Sequence, residues 1–230
     1  MSADPPRGVK CKRSGGMLNY VYLRKFRAVY ATTVENATYL CTFRTYPFRR
    51  SSVNATIVEA ICATMAHPSF FLSTNIGPRL RQQSFAGGAI RSSNPTRDLL
   101  KEAVDLFGKE TRVAQIISLG SGLGRVLSLG EAEGPADVDL LLRMAANCEI
   151  VAKELYSRLF NVSAYLRLNV DRGMETVSMT DWSGLGAIQS HTSAYLETPA
   201  VTEAIEASLQ RLQERIGTIT LSQLSEQCSI

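Results

Sequence analysis

The chain has 230 residues, of which 45% are hydrophobic and 20% are charged, with a net charge of +4. This length fits one globular domain, and the composition excludes a disordered chain. The cysteines are widely spaced and form no C-x-x-C pair: Cys11, Cys41, Cys62, Cys148 and Cys228. The sequence therefore predicts neither a zinc site nor a thioredoxin-like motif, and we expect no cofactor.

The charge is unevenly distributed along the chain. Residues 1–50 carry ten basic and two acidic side chains, whereas the remaining residues carry fifteen basic and nineteen acidic ones. Such a basic end could attract an anionic membrane surface. A solvated tail is the simpler interpretation, and aromatic residues are not interleaved with the positive charges, so no nucleic-acid partner is predicted.

The first residues contain basic side chains but no apolar core of the kind found in signal peptides. The longest apolar runs are far shorter than the ~20 residues needed to cross a bilayer. The sequence therefore predicts an intracellular, cytoplasmic protein with reduced cysteines, and without a signal peptide or a transmembrane segment.

Residues 1–24 are predicted to be a basic, poorly ordered lead-in. Strand signals follow around residues 26–30 and 39–43. A helix is predicted over residues 56–66, with Asn54 or Thr56 as N-cap and Pro68 beyond its end. Its apolar stripe consists of Ile57, Ile61 and Met65. Residues 70–72 (FFL) are predicted to form a buried connection or a short strand.

The middle of the chain alternates between helix and strand patterns. Thr96 is predicted to cap a helix over residues 97–107, and the apolar run 113–119 is typical of a strand buried on both faces of a parallel sheet. A long helix is predicted over residues 137–160, and a strand over residues 164–170.

Two further helices are predicted over residues 181–195 and 202–215, and residues 216–230 are predicted to be a C-terminal tail. Strands that alternate with helices indicate an α/β fold in which helices flank a mainly parallel sheet. The predicted domain spans residues 25–215.

Several motifs, taken in order, resemble the patatin-like phospholipases, with fungal members the most similar. CTFRTYP (residues 41–47) and the helix IVEAICATMAHPSFF (57–71) are similar to the family's FRSY element and its following helix. FAGG (85–88) and SNP (93–95) correspond to the family's Asp-Gly-Gly turn and N-N-P. IISLGSG (116–122), YLRLNV (165–170) and LGAIQSHTSAYL (185–196) match later landmarks. The resemblance covers about residues 26–210.

This resemblance implies a three-layer α/β/α domain of a lipid acyl hydrolase that uses a Ser–Asp dyad. The family's nucleophile lies in G-x-S-x-G, and a glycine-rich loop forms the oxyanion hole. Neither motif is present in this chain, and Ala86 stands where the family has its catalytic Asp. Gly87 and Gly88 remain from the turn. The resemblance therefore implies the later part of the domain, truncated on its N-terminal side, with no intact catalytic residue.

Other groups are weaker candidates for chemistry. Ser121 lies between Gly120 and Gly122, but its neighbours do not fit G-x-S-x-G. His67 and His191 are predicted to be structural, because the family does not use histidine as a base. The carboxylates of the long helix, Asp137, Asp139, Glu149 and Glu154, are predicted to be solvated or paired along the helix. Trp182 is predicted to pack in the core or against a helix start.

An active hydrolase that uses a nucleophile other than the family's is one hypothesis, and three further functional hypotheses follow from these patterns. The chain is a patatin-like module without catalysis, a fragment of an active phospholipase whose N-terminal half supplies the serine, or a non-catalytic module that binds lipid or protein. A truncated sheet would expose an apolar edge, so the predicted partners are a lipid or membrane surface and a protein that covers the gap.

Overall fold

A computed structural model describes residues 27–48, 53–68, 70–124, 144, 147–177, 181–214, 217 and 219–225. The predicted lead-in and the first part of the predicted long helix lie outside these residues. The described residues form a mixed α/β structure with two apolar clusters. The predicted α/β class is therefore confirmed. Within the described ranges, no helix has the length and apolar character needed to cross a membrane.

The first region is a four-stranded antiparallel sheet with one helix against it. Its strands have the order β2-β1-β4-β3 and comprise β1 (Ala28–Thr33), β2 (Leu40–Arg44), β3 (Thr74–Ile76) and β4 (Gln83–Gly87). Helix α1 (Ile57–Met65) packs against β1, β3 and β4. A single apolar cluster fills the space between them: Ala31, Cys41, Phe43, Ala60, Ala63, Ile76 and Phe85.

Helix α1 begins where the sequence predicts. Thr56 is its N-cap, and the Thr56 hydroxyl accepts a hydrogen bond from the Glu59 N–H while the Glu59 carboxylate accepts one from the Thr56 N–H. This reciprocal capping satisfies two backbone donors that the helix leaves free. The helix faces the sheet with Ala60 and Ala63, and the larger side chains of the predicted stripe are exposed.

The second region contains the remaining helices and strands. Its helices are α2 (Thr96–Phe107), α3 (Glu149–Leu159), α4 (Leu185–Leu196), α5 (Pro199–Glu214) and α6 (Leu221–Ser225). Its strands are β5 (Arg112–Val113), β6 (Ile116–Leu119), β7 (Tyr165–Leu168) and β8 (Ile219–Thr220). A second apolar cluster joins α2, α3, α6, β6 and β7: Leu100, Ile116, Leu155, Leu159, Tyr165, Leu221 and Leu224.

The prediction of a mainly parallel sheet is wrong for the described residues, in which most strand pairs are antiparallel. Only β6 and β7 pair in parallel there, whereas β5 pairs antiparallel with β8. The length of the connection accounts for the direction of the pairs of consecutive strands, β1–β2, β3–β4 and β6–β7. Residues 34–39 and 77–82 are too short for a parallel crossover, whereas residues 120–164 include α3 and allow one.

The predicted strand over residues 113–119 is two strands. Ala114 and Gln115 separate β5 from β6, and the two belong to different sheets. In β6 the side chains alternate between buried and exposed, so the expected burial on both faces is also wrong. Residues 70–72 are exposed as well, which contradicts the predicted buried connection.

Two boundaries also differ from the sequence prediction. Helix α2 begins at Thr96 with Pro95 at its N-cap, and the Thr96 N–H and hydroxyl both donate to Asn94 Oδ1. The packed structure also extends past residue 215, because Leu221 and Leu224 of α6 are buried in the second cluster.

Candidate functional site

The turn around Ala86, Gly87 and Gly88, which the sequence resemblance points to, lies at the end of β4. Ala86 pairs with Thr32 of β1, and Gly87 ends the strand before a short 3-10 helix over Gly88–Ile90. The Gly87 N–H donates to the carbonyl oxygen of Ala66 at 2.8 Å. Ala86 contributes a half-buried methyl group, which can neither accept nor donate a proton.

Gly87 and Gly88 are required by close packing of the backbone. A Cβ on Gly87 would lie 2.9 Å from the carbonyl oxygen of Thr64, and one on Gly88 would lie 2.9 Å from that of Tyr30. The glycines therefore let β4 approach α1 and β1 closely. The Gly87 N–H is already used in a hydrogen bond to Ala66, so it is not available to bind an anion.

Ser121 lies in the loop that follows β6 and is exposed to solvent. Its neighbour Gly122 has a φ of +105°, and the Gly122 N–H donates to Asn169 Oδ1 at 2.7 Å. No carboxylate or imidazole of the described residues hydrogen-bonds to the Ser121 hydroxyl. The base that would activate a serine nucleophile is therefore missing from this part of the structure.

The two histidines lie on different elements. The ring of His67, just beyond α1, packs against Phe70 with 5.1 Å between ring centroids. His191 lies on α4 against Gly173, whose φ is +86°. Trp182 is 82% exposed, so its predicted core packing is wrong, although the helical segment does begin after Asp181, whose carboxylate caps it.

The carboxylates of the predicted long helix have different surroundings. Glu154 forms ion pairs with Arg97 and with Arg158 one helical turn away, as the helix pairing predicts. Glu149 contacts the side chains of β7 instead, and its side chain is 27% exposed. Asp137 and Asp139 lie outside the described residues.

The described residues with the most polar contacts form a network around Arg167 at the carboxyl ends of β6 and β7. Arg167 donates to Ser118 Oγ at 3.0 Å, to Cys148 Sγ at 3.3 Å and to Glu149 Oε1 at 3.3 Å. Asn169 Nδ2 also donates to Glu149 Oε1, at 2.9 Å. We call these five side chains the Arg167 network.

The Arg167 network holds several loops and helices in place. Asn169 Oδ1 accepts from the Gly122 N–H in the loop after β6, and the Asn169 N–H donates to the Tyr195 hydroxyl of α4. A Cβ on Gly120 would lie 2.1 Å from Asn169 Oδ1, so the loop needs glycine there. The network is largely satisfied by its own members, with Arg167 Nε as a buried exception.

Cys148 is the one thiol in the Arg167 network. Burial raises the pKa of its thiol, and the nearby Arg167 guanidinium lowers it by less than that. The thiolate is therefore disfavoured at neutral pH, unlike in an activated catalytic cysteine. Arg167 and Asn169 were not predicted as site residues, although their polar side chains in a predicted apolar strand were a signal that could have identified them.

A second polar cluster joins the two regions. Arg44 of β2 forms a bidentate ion pair with Glu102 of α2, and the Tyr46 hydroxyl donates to the same carboxylate at 2.8 Å. The Arg44 and Glu102 side chains are only 11% and 8% exposed. Burial alone would raise the pKa of Glu102, but the hydrogen bonds from Arg44 and Tyr46 hold it below its ordinary value.

No group of three or more histidine, cysteine or carboxylate side chains in the described ranges is arranged to hold a metal ion. Comparison with family models gave no match, and no curated protein matches the chain significantly. The resemblance to patatin-like phospholipases therefore depends on the ordered motifs of the sequence alone.

Proposed function

We propose that the chain is the later part of a patatin-like phospholipase domain, of the lipid acyl hydrolase family of lipid metabolism, without catalytic activity. The observation that carries this proposal is Ala86. It occupies the family's catalytic Asp position in a turn whose two glycines are kept by close contacts with Thr64 and Tyr30. In this proposal the turn keeps its glycines while the carboxylate is lost.

The catalytic groups that the chain lacks determine whether it can hydrolyse an ester. Ester hydrolysis by this family's route needs a serine activated by a base and backbone donors directed at the developing oxyanion. Each such donor contributes roughly 3–4 kcal/mol to lowering the barrier. The chain contains no G-x-S-x-G, its Gly87 N–H is bonded to Ala66, and Ser121 has no base among the described residues.

The proposal also includes the finer architecture, a three-layer α/β/α arrangement, although most of the described strands pair antiparallel. The parallel pair β6–β7 with α3 between its strands supports it, since this is a β-α-β crossover. In the proposed domain further strands would extend this pair. The helices of the second outer layer would then cover the exposed side chains Ile117 and Leu119 on one face of β6.

A second candidate is a fragment of an active phospholipase whose N-terminal half supplies the serine. Coding sequence upstream with G-x-S-x-G would favour it, but Ala86 would still leave the dyad without its base. A third candidate, a non-catalytic module that binds lipid or protein, is favoured by the exposed apolar side chains of α1.

Labelling of the purified chain with a fluorophosphonate, measured by intact mass, tests the absence of catalysis, because this probe reacts with activated serines. We expect no adduct, with a patatin-like hydrolase labelled in parallel as the positive control. A stoichiometric adduct on one serine would contradict the proposal. Ser121→Ala would then show whether Ser121 is the labelled residue.

A further inference from the structure

The large apolar side chains of helix α1 point away from the sheet that it packs against. Its small residues Ala60 and Ala63 face the sheet, whereas its large apolar residues point outward. The outward residues are 47–76% exposed: Ile57, Val58, Ile61 and Met65. An amphipathic helix normally buries such a stripe against a partner, whereas these side chains are exposed to solvent.

The chain adds further exposed apolar groups near this helix in sequence. Phe71 and Leu72 follow α1 directly and are 53% and 93% exposed. Leu80, at the turn between β3 and β4, is 97% exposed and lies between the exposed residues Arg79 and Arg81. We call the outward residues of α1 with Phe71, Leu72 and Leu80 the apolar surface.

The charge of this part of the chain is strongly one-sided. Between Glu35 and Asp98 there are seven arginines and a single carboxylate, that of Glu59, but Arg44 and Arg97 are paired with Glu102 and Glu154. The Glu59 carboxylate is held by the N–H and hydroxyl of Thr56 in the cap of α1. Arg79, Arg81 and Arg91 are exposed, and none of them forms an ion pair within the described residues.

We propose that the apolar surface docks on an anionic lipid bilayer. Exposed apolar side chains insert at the boundary between headgroups and acyl chains, and nearby arginines are attracted to the negative surface. This inference rests on the third candidate of the proposed function and deepens it, because it names the residues and the kind of lipid surface that such a module would use. It holds without the family assignment, so a failure of the lipid-binding test leaves the fluorophosphonate test unaffected.

An anionic bilayer fits these observations better than a protein partner does. A protein interface requires only local complementarity, whereas repulsion from a charged membrane acts on every carboxylate in the neighbourhood. Along this stretch of sequence the single carboxylate, that of Glu59, is held by Thr56 in the cap of α1, which is consistent with the second requirement. Leu72 and Leu80 also project almost fully into solvent, as side chains that enter a lipid interface do.

Flotation of the full chain with vesicles tests the proposal. We expect binding to vesicles of phosphatidylcholine with phosphatidylserine, weaker binding to phosphatidylcholine alone, and loss of binding as salt is raised. Arg79→Gln with Arg81→Gln should weaken the binding by roughly fivefold for each arginine. The matched control, Lys101→Gln with Lys109→Gln, removes the same charge from exposed positions on or after α2 and should have little effect.

A second pair of variants tests the apolar contribution. Ile57→Gln with Ile61→Gln should reduce binding at least about tenfold, since two aliphatic side chains no longer enter the interface. Leu209→Gln with Leu212→Gln on α5 is the matched control, because these leucines are also exposed. Circular dichroism confirms that each variant folds.

Three results would overturn the proposal. The first is no binding to the anionic vesicles, and the second is binding that the α1 and arginine variants leave unchanged. The third is self-association in sedimentation that Ile57→Gln with Ile61→Gln abolishes, which would identify a second copy of the chain as the partner.

Discussion

The two regions of the molecule are stabilised in different ways. The sheet of β1–β4 with α1 is held by an apolar cluster and by the close approach of small residues. The region around β6, β7 and α3 has an apolar cluster of similar size and, beside it, the Arg167 network. The turn with the family-like sequence lies in the first region, and the Arg167 network lies in the second. The turn and the polar side chains of the network therefore lie in different regions, and the chemistry of each has to be judged separately.

The largest expected effect comes from breaking the link between the regions. Glu102→Gln leaves Arg44 buried without its countercharge and should lower the free energy of unfolding by about 3 kcal/mol. Chemical denaturation measures this change. Hydrogen exchange should show the two regions opening separately in the variant and together in the parent chain.

Glu154→Gln is the matched control for this prediction. Glu154 also pairs with two arginines, but its side chain is 25% exposed, so the expected loss is at most about 1 kcal/mol. Equal losses in the two variants would show that burial of the Arg44–Glu102 pair does not matter.

A smaller effect is expected at the turn. Gly87→Ala places a Cβ 2.9 Å from the Thr64 carbonyl oxygen, so α1 or β4 must shift, and stability should fall by about 1–3 kcal/mol. Gly186→Ala, where nothing lies within 4 Å, should instead stabilise by about 0.4–1 kcal/mol. Thermal unfolding measures both changes. A Gly87→Ala chain as stable as the parent would refute the packing role of this glycine.

The smallest expected effect is a dependence on acid pH. Burial would raise the pKa of Glu102, but the bonds from Arg44 and Tyr46 leave it below its ordinary value of 4.5. The folded chain then binds fewer protons at Glu102 than the unfolded chain does. The stabilisation that results is present above pH 4.5 and is lost as the pH falls through the pKa of Glu102 in the folded chain. The gap in stability between the parent chain and Glu102→Gln should therefore narrow in acid, and a constant gap would contradict this.

Local patterns in the sequence predicted much of the secondary structure. The capping residues around Thr56 and the periodicity of residues 97–107 located α1 and α2 to within a residue or two, because both signals depend on neighbours in the chain. The strands β1, β2 and β7 were also located near their observed positions. The mixed α/β class follows from these elements.

Features that depend on contacts between distant parts of the chain could not be predicted from these local patterns. Strand direction depends on which strands become neighbours, and the run 113–119 is divided between partners that lie far away in sequence. The prediction of which face of α1 is buried was wrong, because close packing against the sheet places the small residues Ala60 and Ala63 inward instead of the larger side chains. Glu149 and Arg167 are distant in sequence, so no local pattern links them.

The most direct test of the proposed function restores the missing groups. The chain would be co-expressed with the N-terminal half of an active patatin-like hydrolase, which carries the G-x-S-x-G serine and the oxyanion loop. Labelling of that serine by a fluorophosphonate is then measured with Ala, Asp or Asn at position 86. The proposal predicts labelling only with Ala86→Asp, because Ala86 stands at the dyad position. Labelling that is independent of residue 86, or none with Ala86→Asp in a folded complex, would contradict it.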